Sequence, residues 1–212
     1  MSALENRASR LNDLEFTALR YRGPGTDLEI GLAHNARWTS ALYRTAGGIE
    51  YVPNMPTEEV FTTPDCRLAE GTVRSSRPMM LIGQLVEGLT LTVRGGRIVS
   101  VDADRGAEVV NGLLGSDERA AYFGEVALVD RNSRVGQLNT LFYDMLYDEN
   151  ASSHIAFGAG IPQVFDSDPA GALNVSTVHV DFMVGHPELE IDGRLANGTW
   201  VPVMYGEEWQ FD

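Results

Sequence analysis

One stretch near the C-terminal end, VHVDFMVG (178–185), restricts the fold more than any other. Side chains of an extended chain alternate between two faces. His179 and Asp181 therefore face one way, while Val178, Val180 and Phe182 face the other. The apolar face demands a core. The other face carries an imidazole and a carboxylate into an apolar run, where an unpaired charge is expensive to bury. The same conflict recurs in GEVALV (124–129), where Glu125 opens an apolar strand. Such a face needs partners: a cation or an arginine for Glu125, and for His179 with Asp181 either a metal ion or a hydrogen bond between the two.

The flanking sequence supplies the rest of the sheet. TDLEIGL (26–32) follows a GPG turn and alternates Leu28, Ile30 and Leu32, which predicts a strand. LAEGTVRSS (68–76) reads as another. LVEGLTLTVRGGRIVSVDAD (85–104) predicts a hairpin turning at Gly95-Gly96. A second hairpin is expected in LEIDGRLANGTWVPVM (189–204), with turns at Asp192-Gly193 and Asn197-Gly198. Helices are expected over 1–16, from Leu4, Leu11 and Leu14, over 36–48 (ARWTSALYRTAGG) and over 106–122, with a further short one inside 139–158. Three prolines make 51–65 a loop with a brief strand at EVFTT. Strands outnumber helices, so the expected class is α/β with α+β character: a mixed sheet with covering helices and β-hairpins, in one domain over 1–212.

Composition narrows the partners. Sixteen basic residues, every one an arginine, stand against thirty acidic ones, for a net charge of −14. So negative a chain repels phosphate backbones and anionic lipid, so neither nucleic acid nor a membrane is an expected partner. A lone cysteine, Cys66, forms no internal disulfide. No run approaches the ~18 apolar residues of a membrane span, and MSALENRASRLNDLEF lacks a signal-peptide core. The expected location is cytoplasmic.

The polar patch can be assembled from four segments: Glu58 and Glu59 in NMPTEEVFTTPD, Glu125 in GEVALV, His154 in DENASSHIAFG, and His179 with Asp181. Oxygen and imidazole donors without thiolate suit zinc, cobalt, manganese or iron. Five protein donors exceed what one catalytic ion needs and suit two ions sharing a carboxylate, a device for hydrolysing an amide.

These four segments, in this order, resemble the signature segments of the thermophilic-type metalloaminopeptidases, the family of aminopeptidase T and aminopeptidase S. GTDLEIGL and IDGRLANGTWVPVMYGEEW are similar to it as well. The resemblance runs from about residue 24 to the C-terminal end. It implies a site with two divalent ions (Zn, or Co, Mn or Mg) that removes N-terminal residues from peptide substrates, with Glu59, Glu125, His154, His179 and Asp181 as metal ligands. Glu59 is preferred to Glu58 for its separation from Glu125, and Asp181 is the expected bridge. The general-base role falls to Glu59, Glu58 or a metal-bound hydroxide. The resemblance also implies a homodimer, and that this chain corresponds to the C-terminal, metal-bearing half, with the family's N-terminal half absent.

The family carries a tyrosine shortly after its histidine, expected to stabilise the tetrahedral intermediate; Ile161 stands there instead. Losing one such donor costs on the order of 10²–10³ in rate, and Tyr143 or Tyr147 are the expected substitutes. Two alternatives follow. One is a ring-cleaving dioxygenase using a single Fe(II) on two histidines and a carboxylate; the other is a catalytically weakened, metal-stabilised scaffold. Asn150 and Asn174 are expected to orient ligands or cap loops. Asp148 and Glu149 are expected to bind a substrate amine or to cap a helix. Trp200 and Trp209 are expected in packing or dimer contacts, and His34 and His186 at the surface or outside the ligand set.

Overall fold

The computed structural model of the chain describes residues 2–40 and 42–211. The chain opens with α1 (Ser2–Leu14), whose Leu4, Ala8 and Leu11 form one buried stripe at helical spacing. The strands then follow as β1 (Ala18–Gly23), β2 (Thr26–Leu32), β3 (Tyr43–Arg44), β4 (Glu50–Tyr51), β5 (Glu59–Thr62), β6 (Pro64–Arg74), β7 (Met79–Leu81), β8 (Gln84–Val86), β9 (Thr90–Arg94) and β10 (Arg97–Asp102). After α2 (Ala107–Leu114) come β11 (Phe123–Val129), α3 (Met145–Glu149), β12 (His154–Gly158), β13 (His179–Met183), β14 (Glu190–Arg194), β15 (Trp200–Tyr205) and β16 (Glu208–Trp209).

Two sheets carry the molecule. The larger runs β10-β9-β6-β2-β1-β14-β15-β16, the smaller β13-β12-β11-β5, and every ladder in both is antiparallel. One apolar cluster joins them. Leu19, Tyr21, Leu28, Ile30, Leu91 and Val93 enter it from the large sheet; Val60, Val126, Leu128, Ile155, Phe157, Val180 and Phe182 enter from the small one. The expected class holds: several sheets, few helices. Antiparallel pairing throughout puts the weight on its α+β side. Among the described residues no helix is long and apolar enough to cross a membrane.

Three local expectations are corrected. Among the described residues of 36–48 the expected helix does not form; they hold β3 and two isolated bridges, Ala36 to Phe165 and Thr39 to Phe61. Its backbone groups are taken by distant partners. Trp38 N–H donates to Asn12 Oδ1 at 2.9 Å, Asn12 Nδ2 donates to the Trp38 carbonyl at 2.9 Å, and Arg37 N–H donates to Val164 O at 2.8 Å. Tertiary hydrogen bonds thus override a weak local preference. The helix expected over 106–122 stops at Leu114. Beyond it, Asp117 accepts hydrogen bonds from the Arg119 and Thr177 backbones and from the Ser176 and Thr177 hydroxyls. Asp192-Gly193 is not a turn but the middle of β14; a Cβ on Gly193 would stand 2.5 Å from the Phe16 ring, so glycine admits the aromatic. The Gly95-Gly96 turn is as expected, both residues left-handed at φ 53° and 81°.

Candidate metal centre

All four strands of the small sheet deliver a polar side chain to the face turned away from the apolar cluster. Glu59 starts β5 opposite Val129; Glu125 lies on β11 opposite Ala156; His154 starts β12 opposite Ala127; His179 and Asp181 lie on β13 opposite Gly158 and Ala156. Period two places the five on one face, and the alternate residues Val60, Val126, Leu128, Ile155, Val180 and Phe182 in the core. Ala127 and Ala156, both fully buried, leave room between them.

The five converge. His154 Nε2 lies 3.1 Å from Glu59 Oε2, and His179 Nε2 lies 3.2 Å from Glu125 Oε2 and 3.3 Å from Asp181 Oδ1. Three sets have donor atoms mutually within 4.8 Å: Glu59–Glu125–His154, Glu125–His179–Asp181 and Glu149–His154–Asp181. Glu125, Asp181 and His154 each belong to two sets, and of these only the two carboxylates have a second oxygen with which to be shared. Glu58 belongs to none; its backbone N–H is held by Asn150 Oδ1 at 2.7 Å.

Both imidazoles are fixed from behind. His154 Nδ1 lies 3.1 Å from the Ser152 carbonyl, and His179 Nδ1 lies 2.8 Å from the Ala159 carbonyl. A carbonyl only accepts, so Nδ1 carries the proton and donates, leaving Nε2 of a neutral ring with its lone pair turned into the cluster. This is how metal-binding histidines are commonly held. Asp181 Oδ1 is buried and has no hydrogen-bond partner despite its closeness to His179. A buried carboxylate oxygen left in this condition is a seat for a cation. The donor chemistry, the orphaned oxygen and the aimed nitrogens all fit a divalent ion.

Electrostatics report the same crowding. Burial raises Glu125 to about 7, helped by the charges of Asp181 and Glu59. Burial also raises Glu149, to about 8, with Asp181 adding to it. Burial would lower both imidazoles, yet hydrogen bonds and carboxylate charge overcome it. Glu59 foremost lifts His154 to about 10, and Asp181 and Glu125 lift His179 to about 11. Asp181 is held below its ordinary value in spite of burial, chiefly by His179. Without metal, protons occupy the place of cations.

Glu149 enters the cluster from the end of α3 and was not among the expected ligands. Its neighbour Asp148 is buried and occupied otherwise, accepting from Phe142 N–H at 2.9 Å and Asp144 N–H at 3.1 Å, while Asp144 caps α3. Asn174 clamps the end of β12, donating to Gly158 O and Arg119 O. Ile161 and Tyr43 both pack against the small cluster of Phe61, Ala127 and Val164, on the ligand side of the small sheet. Burial raises the Tyr43 phenol above its ordinary value, and the charges of Glu125 and Glu59 raise it further, so this ring stands near the cluster. Tyr143 and Tyr147 are half exposed. The tyrosine nearest in effect is therefore one that the sequence placed in a helix. Trp200 packs under the guanidinium groups of Arg20 and Arg194, and Trp209 against Arg7 and Phe211, as packing residues.

The thermophilic metalloprotease (M29) family matches residues 1–209. The chain belongs to that family. Among its relatives, aminopeptidase T of Thermus aquaticus is 45% identical over 212 residues, covering 97% of this chain and 52% of the relative. Aminopeptidase AmpS of Bacillus subtilis (strain 168) is 39% identical over 216 residues, covering 98% and 53%. The solved structure of wild-type AmpT from Thermus thermophilus superposes with a TM-score of 0.94 at 43% identity, over 99% of this chain and 54% of that one. The thermophilic metalloprotease fold expected from the motifs is thus the fold observed. The chain spans about half the length of the curated relatives it matches. A 2,5-dihydroxypyridine dioxygenase from Pseudomonas putida KT2440 is similar in fold alone, with a TM-score of 0.67 at 15% identity.

Proposed function

We propose that this chain carries the catalytic centre of a metal-dependent aminopeptidase, with two divalent ions held in the small sheet. The observation that supports it best is the convergence of Glu59, Glu125, His154, His179 and Asp181 from four adjacent strands, with both Nε2 atoms aimed inward. Glu59 and His154 would hold one ion and His179 and Asp181 the other. Glu125 and Asp181, each common to two donor sets, are the two carboxylates that could bridge the ions. Bound ions of this kind supply an acidic water at neutral pH and a positive pole for a carbonyl oxygen.

The chain's own groups divide the remaining work. Surplus carboxylate at the cluster gives the free amine of a peptide a place to bind. Glu149, half buried and reaching in from α3, is the carboxylate placed to take a proton from the attacking water and return it to the leaving amine. Glu58, outside the donor sets, is a weaker candidate for that base than Glu59 or Glu149. Peptides with free N-termini are the proposed substrates, in a homodimer within the cytoplasm. Residues 1–212 then act as one metal-binding unit.

A single-iron dioxygenase centre would leave several buried carboxylates without a cation, and is less favoured. The test is release of free amino acid from unblocked di- and tripeptides, lost on chelation and restored by Zn²⁺ or Co²⁺, with N-acetylated peptides left intact. Two ions per chain by elemental analysis support the reading. One iron per chain, or no release from the metal-loaded protein, overturns it.

A further inference from the structure

The turn between β15 and β16 breaks a local rule. Gly206 and Glu207 connect strands that pair Tyr205 with Glu208, and both are left-handed, at φ 58° and 64°. Two-residue turns of this hand favour glycine at the second position, where a side chain crowds the backbone. The main chain gives no reason for a glutamate there. Gly206 N–H donates to Leu189 O at 2.9 Å and Arg131 N–H donates to Glu207 O at 3.0 Å, bonds that a glycine at 207 would also allow. Nor does the carboxylate pair with Arg131, whose Nη2 lies 2.7 Å from Glu208 Oε1 instead.

The side chain has a definite destination. Glu207 Oε1 accepts from the hydroxyl of Ser152 at 2.8 Å, and Ser152 is fully buried. The pair meets over Gly185, where a Cβ would overlap both the carboxylate and the Ser152 Oγ. Ser152 stands two residues before His154, and its carbonyl takes the Nδ1 proton of that ring at 3.1 Å. The next residue is held from the small sheet: Ser153 Oγ accepts from Val129 N–H at 3.0 Å, and its carbonyl accepts from Val184 N–H at 2.8 Å. The Ser152 hydroxyl ties the same segment to the edge of the large sheet, where β15 and β16 lie.

We propose that Glu207 is a positioning residue for His154. A charge-assisted hydrogen bond from the Ser152 hydroxyl fixes the Ser152 peptide, and the carbonyl of that peptide keeps His154 Nε2 turned into the donor cluster. A glutamate is kept at a position suited to glycine because its side chain is needed elsewhere, which is how strained turns come to mark functional sites. The inference rests on the reading of the small sheet as a two-ion centre. It carries a consequence that general stiffening of the fold does not: the ion on Glu59 and His154 depends on Glu207, and the ion on His179 and Asp181 does not.

The experiment is competition titration of the chelated chain with Zn²⁺ against a chromophoric chelator, resolving the two ions. Glu207→Gly suits the left-handed backbone, so the turn should form. It is expected to weaken one ion by about 10–100-fold and to leave the other within about twofold of wild type. Glu207→Gln keeps an accepting oxygen and is expected to restore the weakened ion to within about twofold. Ser152→Ala is expected to match Glu207→Gly, and the double variant to lose no more than either, because both remove the same bond. Four results overturn the assignment alone: both ions at wild-type affinity in Glu207→Gly; both ions weakened equally; Glu207→Gln as weak as Glu207→Gly; or additive losses in the double variant. A wild-type chain that takes up no metal overturns the metal-centre reading and this inference with it.

Discussion

His154 on β12 and Glu59 on β5 meet at 3.1 Å although β11 runs between them, with Val129 opposite Glu59 and Ala127 opposite His154. Of these two β11 residues, Ala127 is the small one. Ala127→Val adds two methyl groups to the ligand face at a fully buried position. Overpacking of this kind costs about 1–3 kcal/mol. The expected outcome is a folded protein of lower melting temperature that holds less metal at a given free concentration. Metal content equal to wild type would show that a small residue at 127 is not needed.

Stability should respond to pH in opposite ways with and without metal. In the metal-free chain Glu125 stands at about 7 and Glu149 at about 8, above the ordinary 4.5, while His154 and His179 stand at about 10 and about 11, above 6.5. The folded chain therefore holds more protons than the unfolded chain from about pH 5 upward. Stability then falls as pH rises through that range. Asp181 is shifted the other way, and its effect is confined to more acid solution, below its ordinary 3.8. The chelated protein should melt lower at about pH 9 than at about pH 6, and the zinc-loaded protein should lose metal and stability on acidification. Melting curves of both forms across this range decide the matter; a chelated form that gains stability toward pH 9 contradicts the electrostatic picture.

Asn150 is fully buried and ties two segments together, accepting from Glu58 N–H at 2.7 Å and donating to Leu146 O at 2.9 Å. It sets the entry of β5 one residue before Glu59. Asn150→Ala strands the buried Glu58 amide, at a cost of about 1–3 kcal/mol. Loss of an orienting partner of this kind lowers metal affinity by about 10–100-fold. A competition titration against a chelator measures it, and affinity unchanged within twofold would place the role of Asn150 in packing alone.

Ile161 offers no hydroxyl; Tyr43 packs against the same small apolar cluster, and the Glu125 and Glu59 charges reach its phenol. Tyr43→Phe removes one oxygen and keeps the ring. If that oxygen donates to the developing oxyanion, kcat falls on the order of 10²-fold or more while KM and metal content hold. Ile161→Tyr in the Tyr43→Phe background should then recover part of the loss. Unchanged kcat in Tyr43→Phe excludes the phenol from the reaction.

Much of the metal face was legible in the chain before folding, because strand periodicity is a local rule. His179 and Asp181 two residues apart must share a face, and Glu125 at the head of an apolar strand must find a cation or donor there. The ordered motifs supplied the family. That Glu149 joins the cluster was not legible. Its neighbour Asp148 has the same chemistry, and only the helix end of α3 turns one carboxylate toward the cluster and the other into the backbone of 142–144. Tyr43 was hidden for a different reason: its segment has helix-like composition, and the bonds from Trp38 to Asn12 and from Thr39 to Phe61 make it extended.

The amino-acid sequence by itself determined which side chains could face a cation, through alternation along single strands, where each residue's orientation follows from its neighbours. Only the tertiary structure decided which strands lie side by side, how far apart the donors stand and which distant backbone captures a segment. Those outcomes depend on hydrogen bonds and packing between residues far apart in the chain, and no local pattern encodes them.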